Sequence, residues 1–249
     1  MTFLSKWKDS LCALGGLCGY FEAYCRILSA WLVLAYALGA VAVLEGVAFF
    51  GGSSLPSLAI PLMAVSKVAG IAVLIWMIAS ILRFFDTKKR ALAYYAQKAA
   101  LWLILMAFIS VTVVFALPFI IGKFPAHYND WPRSWFYLSG FITLLYSAVV
   151  PAWTYTESSL LDAVKRSICF TFAELPALVL LMAPLWVASH YFMLCMMQNA
   201  AAVAPGVAPD PAFIIGIALY GQVMNFFGNA MIAHWYQKRS KKAATPKSC

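Results

Sequence analysis

The chain has 249 residues, of which 64% are apolar and only 11% charged, with a mean hydropathy of +0.84 and a net charge of +9. That much apolar surface excludes a soluble globular domain and leaves a bilayer, which accepts roughly 20 apolar residues per helical crossing, as the natural solvent. Lys and Arg lie in short stretches between apolar runs, so they read as membrane topology and not as a nucleic-acid surface.

Near the N-terminus, Phe3, Trp7, Leu11, Leu14, Cys18 and Phe21 recur at helical spacing, with Lys6, Lys8, Asp9 and Glu22 off that line. This is the pattern of an amphipathic helix in the membrane interface, too short in its uncharged part to span and broken at Gly15 and Gly16. A cleaved signal peptide ending near Ala35 or Ala37 is the competing reading, against which stands its long charged leader.

The first crossing is expected at 27–50, and a turn through Gly51, Gly52, Ser53, Ser54 and Pro56 returns the chain as a second at 60–82. Further crossings are expected at 99–121, 135–153, 175–197 and 213–235, with 198–211 as an outer loop. Trp131, Trp135, Trp153 and Trp235 fall near the predicted membrane edges, as interface anchors. With the N-terminus inside, the cytoplasmic segments hold Lys6, Lys8, Arg26, Arg83, Lys88, Lys89, Arg90, Lys98, Lys165, Arg166 and five cations of the tail. Only Lys123 and Arg133 fall outside, and Lys67 lies within a crossing. The expectation is an all-α, polytopic helical membrane protein with about six transmembrane helices and both termini cytoplasmic, in the plasma (bacterial inner) membrane. It divides into an interfacial segment 1–26, a transmembrane domain 27–235 and a basic tail 236–249.

Sliding the chain on itself by 76 residues pairs Asp86, Lys89 and Arg90 with Asp162, Lys165 and Arg166, and gives seven identities in 26 positions. A parallel internal repeat would give two basic amphipathic stretches, each followed by an outward crossing; chance agreement of apolar runs is the alternative. In the second stretch Ser159 and Asp162 have the spacing of a helix-start capping box, and Leu161, Val164, Ile168 and Phe172 form an apolar stripe. Lys88, Lys89, Arg90, Lys165 and Arg166 would then face anionic lipid.

The run Glu157-Ser158-Ser159-Leu160-Leu161-Asp162-Ala163-Val164-Lys165-Arg166-Ser167, followed by Phe170, Thr171 and a Pro-containing apolar stretch, resembles the membrane region of bacterial glycerophosphodiester phosphodiesterases and related multi-pass proteins. The likeness covers about forty residues. It implies a helical membrane fold and carries over no catalytic residue, since the soluble phosphodiesterase domain is not in this chain.

Ionisable groups within the bilayer need a partner or a role. Glu45 and Lys67 lie at matching depth on antiparallel neighbours, within ~8 to 11 Å of the outer edge at about 1.5 Å per residue, and are expected to pair. His190, Gln222 and Asn225 fall toward the same outer half, where an outward polar chamber could form. Interhelical hydrogen bonding is the other role for Gln222, Asn225 and Asn229. Pro118 and Pro184 are expected to kink their helices.

Catalytic motifs are missing: no HExxH, GxSxG, intramembrane GxGD or phosphate-binding loop occurs. Ser5 with Lys8 matches SxxK only at a chain end, and His127 with Asp130 offers two ligands where a metal needs three or four. The six cysteines show no CxxC spacing, and Cys249 lacks the residues of a prenylation box. No cofactor or metal is expected; the expected partners are membrane lipids, anionic headgroups among them, and other membrane proteins. A non-catalytic scaffold, assembly or partner subunit is the first functional reading. A small permease using Glu45, Lys67 and His190 is the second, and a lipid-modifying enzyme the third.

Overall fold

The computed structural model describes residues 3–121, 147–202 and 211–244. Within them every regular element is a helix, with no strand. The helices are α1 (Phe3–Leu14), α2 (Gly16–Leu28), α3 (Trp31–Ser54), α4 (Ala59–Phe85), α5 (Leu92–Ile121), α6 (Val149–Tyr155), α7 (Leu160–Ala202) and α8 (Pro211–Ala244). Of these, α3, α4, α7 and α8 are long and apolar enough to cross a membrane, and the bent pair α1–α2 qualifies when taken together. The chain is therefore a helical, multi-pass type of membrane protein. Most of the expected fourth crossing, the loop residues Lys123, His127, Asp130, Trp131 and Arg133, and Cys249 lie outside the described residues.

The N-terminal segment packs against the long helices. Helices α1 and α2 meet at 67°, a bend made by Gly15 and Gly16 at φ of 70° and 64°. Gly19 completes it, because a Cβ there would lie 1.6 Å from the Leu14 carbonyl oxygen. The bend lays α1 on α7 and α2 on α8, burying Ser10, Ala23 and Ile27. Helix α2 closes at Leu28, beyond the expected boundary at residue 26, as Ser29 N–H donates to the Cys25 carbonyl at 3.0 Å. The first long helix accordingly begins at Trp31 and not at residue 27.

Helices α3 and α4 form the expected hairpin, and Gly52 permits its tip to close: a Cβ there would meet Ala59 at 3.3 Å. Near that tip both helices expose Val43, Val47, Phe50, Ile60, Val65 and Val68, as helices solvated by lipid do. The closely packed core instead lies toward the other end, where Ile27, Met77, Ile81, Leu178, Phe226 and Trp235 are buried together.

Helix α7 merges two expected elements into 43 residues, about 65 Å of helix against roughly 30 Å of hydrocarbon, so it extends well beyond a bilayer. Ser159 caps it as anticipated: its Oγ donates to Asp162 Oδ2 at 2.8 Å and accepts from Asp162 N–H at 3.2 Å. Pro176 and Pro184 sit inside the helix. A proline at 176 leaves the Phe172 carbonyl without its i+4 donor, and the Trp7 indole N–H fills that gap at 2.8 Å. About two and a half helical turns further on, Tyr24 Oη donates to the Leu181 carbonyl at 2.9 Å.

The 76-residue register is not repeated in three dimensions. Asp86 caps the end of α4 with Lys89 and Arg90 in the following loop, whereas Asp162, Lys165 and Arg166 lie inside the opening turns of α7. The cause is local: Ser159 starts the second helix ahead of its charged trio, while Asp86 is held in a loop by Tyr95. On α7 the bundle-facing side is Ala163, Ser167, Thr171 and Glu174, all buried, and the stripe residue Leu161 is 74% exposed.

Candidate functional site

The expected Glu45–Lys67 pair is present: Lys67 Nζ lies 2.7 Å from Glu45 Oε1. It sits on an open flank, with the Lys67 side chain 67% and the Glu45 side chain 12% exposed. His190 is exposed beside Tyr191. Gln222 Oε1 is buried without a hydrogen-bond partner, and Asn225 is exposed, its carbonyl taking the Asn229 side-chain amide within the same helix at 2.7 Å. Among the described residues, no hydrogen bond or ion pair joins these three to Glu45 or Lys67. The Glu45–Lys67 pair is thus not joined to the other three by hydrogen bonds, and the Asn225–Asn229 bond is intrahelical where an interhelical one was expected.

Polar chemistry is concentrated at the other, basic end, in two structural networks and one cleft. In the first network, buried Asp86 accepts from Tyr95 Oη at 2.5 Å and from Lys88 N–H at 3.0 Å. Arg90 donates to the Thr154 carbonyl at 2.9 Å and also pairs with Glu157. Lys88 reaches the same Glu157 carboxylate at 2.7 Å. That hydrogen bond from Lys88, together with the charges of Arg90 and Lys88, holds the Glu157 carboxyl below the usual carboxylate range. Lys98 donates to Tyr94 Oη and to the Trp153 carbonyl, both at 2.8 Å, and lies over both rings. These contacts lash the loop after α6 to the loop before α5.

The second network centres on Glu174, which is 5% exposed. Ser10 Oγ at 2.7 Å, Trp235 Nε1 at 3.1 Å and Arg239 Nε at 2.6 Å all donate to its carboxylate. One side chain thus ties α1 and α8 to α7. Arg239 had read as part of a free cytoplasmic tail; instead α8 continues to Ala244, and Arg239 is inside the bundle's polar network.

The cleft, about 890 Å³, opens at the same end between α2, α4, the loop before α5, and α8. Arg26, Arg83, Lys89 and Lys238 line it, with Glu22 as its one carboxylate and with His234 and Gln237. Its apolar wall is made by Val33, Trp76, Phe84, Phe85 and Leu92. Lys89 reaches it through a left-handed backbone, φ 42°, which costs a non-glycine residue roughly 1–2 kcal/mol. That single residue divides three consecutive cations: Lys88 and Arg90 serve the Glu157 network, and Lys89 serves the cleft. Of the five residues expected to face anionic lipid, Lys165 and Arg166 are exposed on α7, whereas the Arg90 side chain is only 19% exposed. Among the described residues, no group of His, Cys, Asp and Glu is arranged to hold a metal ion.

Sequence reading missed Glu174, Tyr95, Thr154 and the cleft. A lone carboxylate in the run 168–183 was a usable signal for Glu174, since an acid so placed needs donors from elsewhere in the fold. Arg26, Arg83 and Lys238 each look like ordinary membrane-edge charges, and nothing local marks them as neighbours. Comparison of the chain with family models, curated proteins and solved structures finds no match.

Proposed function

We propose that this chain is a six-crossing protein of the bacterial inner membrane, both termini cytoplasmic, acting as a non-catalytic partner or scaffold subunit. The observation that carries this reading is the Glu45–Lys67 pair. A permease would turn these charges inward around a substrate path, yet they lie on an open flank with Lys67 mostly exposed among Val43, Val47, Val65 and Val68. A charge on a hydrocarbon-facing surface is costly unless protein covers it, so a membrane-embedded partner against the α3–α4 hairpin is the natural occupant. Collection of Arg26, Arg83, Lys89, Lys98, Lys238 and Arg239 at one end of the bundle supports the inside orientation of that end. The likeness of 157–171 to a multi-pass membrane region, and not to a catalytic domain, agrees with it.

The test is a photo-crosslinker at Val68 in native membranes, with gel analysis of the adducts. A discrete protein adduct, lost in the double variant Glu45→Gln, Lys67→Met, is the expected outcome. Crosslinking to lipid alone, or labelling of Cys249 from outside the cell, would overturn the reading.

A further inference from the structure

We propose that the cleft at the basic end is a binding site for one anionic phospholipid of the leaflet that this end faces. Lys88, Arg90, Lys98 and Arg239 are each committed to a protein acceptor. Arg26, Arg83 and Lys89, from α2, α4 and the loop before α5, make no ion pair among the described residues, and all three line one cleft with Lys238. Four cations face one carboxylate there, Glu22. Like charges repel, and one carboxylate offsets only part of the repulsion among four cations, which a phosphate-bearing occupant would relieve further.

The walls say what else the occupant carries. Arg83 and Trp76 lie on one helix seven residues apart, about 10 Å along the axis, and Val33 stands with Trp76 on the apolar side. Along α4 the lining therefore passes from Arg83 to Trp76 over roughly the span between a phosphate and the first methylenes of an acyl chain. Its volume, about 890 Å³, exceeds what free phosphate needs and suits a headgroup with part of a chain. Trp76 and Phe84 remain exposed at its side, where a chain would pass into surrounding lipid.

The proposal stands apart from the partner-subunit reading, because its test uses the purified full chain alone. Native mass spectrometry in mild detergent would measure retention of phosphatidylglycerol against phosphatidylcholine. Wild type should keep one phosphatidylglycerol in preference, and Arg26→Gln with Arg83→Gln should lower that preference about thirtyfold, two phosphate contacts at roughly 1 kcal/mol each. Lys165→Gln with Arg166→Gln, also basic and exposed but outside the cleft, should leave it unchanged. Glu22→Gln should raise retention, a gain that misfolding cannot mimic. Phosphatidylglycerol with brominated chains should quench tryptophan fluorescence less in Trp76→Phe than in wild type. Equal retention of both lipids, an equal loss in the Lys165/Arg166 control, no gain with Glu22→Gln, unchanged quenching in Trp76→Phe, or displacement by glycerol phosphate as readily as by lipid would each overturn the proposal.

Discussion

Replacing Glu174 by Ala should be among the most damaging single changes in this protein. The carboxylate is 5% exposed, and its donors Ser10 and Trp235 are fully buried. Its removal strands two neutral donors, each worth about 1–3 kcal/mol when left unpaired, and uncovers the Arg239 guanidinium, whose side chain is 20% exposed. These losses share one acceptor and do not add; breaking a buried ion pair as a unit costs about 3–5 kcal/mol. At roughly 2–4 °C per kcal/mol for a chain of this size, the apparent Tm should fall by about 10 °C. Thermal challenge of detergent-purified protein, followed by loss of the monodisperse size-exclusion peak, reads this directly. Glu174→Gln should lie between, since its amide oxygen can serve one donor while its NH2 opposes Arg239. Ser10→Ala should cost less and fail to add to Glu174→Ala. A Glu174→Ala shift under about 2 °C would show that the three donors find other acceptors, and the central role given to this residue would be wrong.

Gly19→Ala should destabilise by about 3 kcal/mol, because its Cβ would lie 1.6 Å from the Leu14 carbonyl oxygen; Gly16→Ala, in open space at φ 64°, should cost only about 1 kcal/mol, and equal Tm losses would refute a steric origin. For the hairpin pair, Glu45→Gln and Lys67→Met should each lower Tm at least as much as the double variant does; independent, additive losses would show that the 2.7 Å contact carries no coupling. Glu157 has a lowered folded pKa, so its stabilisation is present above the ordinary glutamate value of about 4.3 and is lost as pH falls through the folded value. Tm of wild type minus that of Glu157→Gln should therefore shrink on acidification, and a constant or growing difference would contradict the Lys88 and Arg90 contacts.

What the sequence made legible follows from which forces act locally. Bilayer thickness imposes long apolar runs, so the hairpin of α3 and α4 could be placed to within a few residues. A short turn between antiparallel helices fixes relative depth, which is why Glu45 and Lys67 could be paired. The Ser159 cap was readable because the bond closes within three residues. Where distant segments decide, local reading failed. The run 160–202 looked like a surface helix followed by a crossing because its composition changes near Leu175, yet the helix is continuous. Pro176 is tolerated there because an indole from the N-terminal helix serves the carbonyl that proline orphans, a compensation no window around the proline contains. The charged trios matched by sequence sit in unlike settings because their hydroxyl partners differ in place: Tyr95, nine residues on, holds Asp86 in a loop, whereas Ser159, three residues back, holds Asp162 in the first turn of a helix.

The two ends of the bundle are consequently built on different principles. Toward the hairpin tip, apolar side chains face outward, and the ion pair there sits on an open flank. At the basic end, polar groups do the joining: Trp7, Ser10 and Tyr24 dock the bent N-terminal pair onto α7, and that docking, with the packing of α2 on α8, sets Glu22 and Arg26 at the rim of the cleft. The cleft is thus a product of the Gly15–Gly19 bend and of the Glu174 network, although none of those residues lines it. A change at Gly19 or Glu174 should therefore lower phosphatidylglycerol retention along with Tm, whereas a change at Arg83 should lower retention and leave Tm near its wild-type value. If instead Gly19→Ala lost stability but kept full retention, α2 would contribute nothing to lipid capture, and the cations of α4, α8 and the loop before α5 would have to account for it alone.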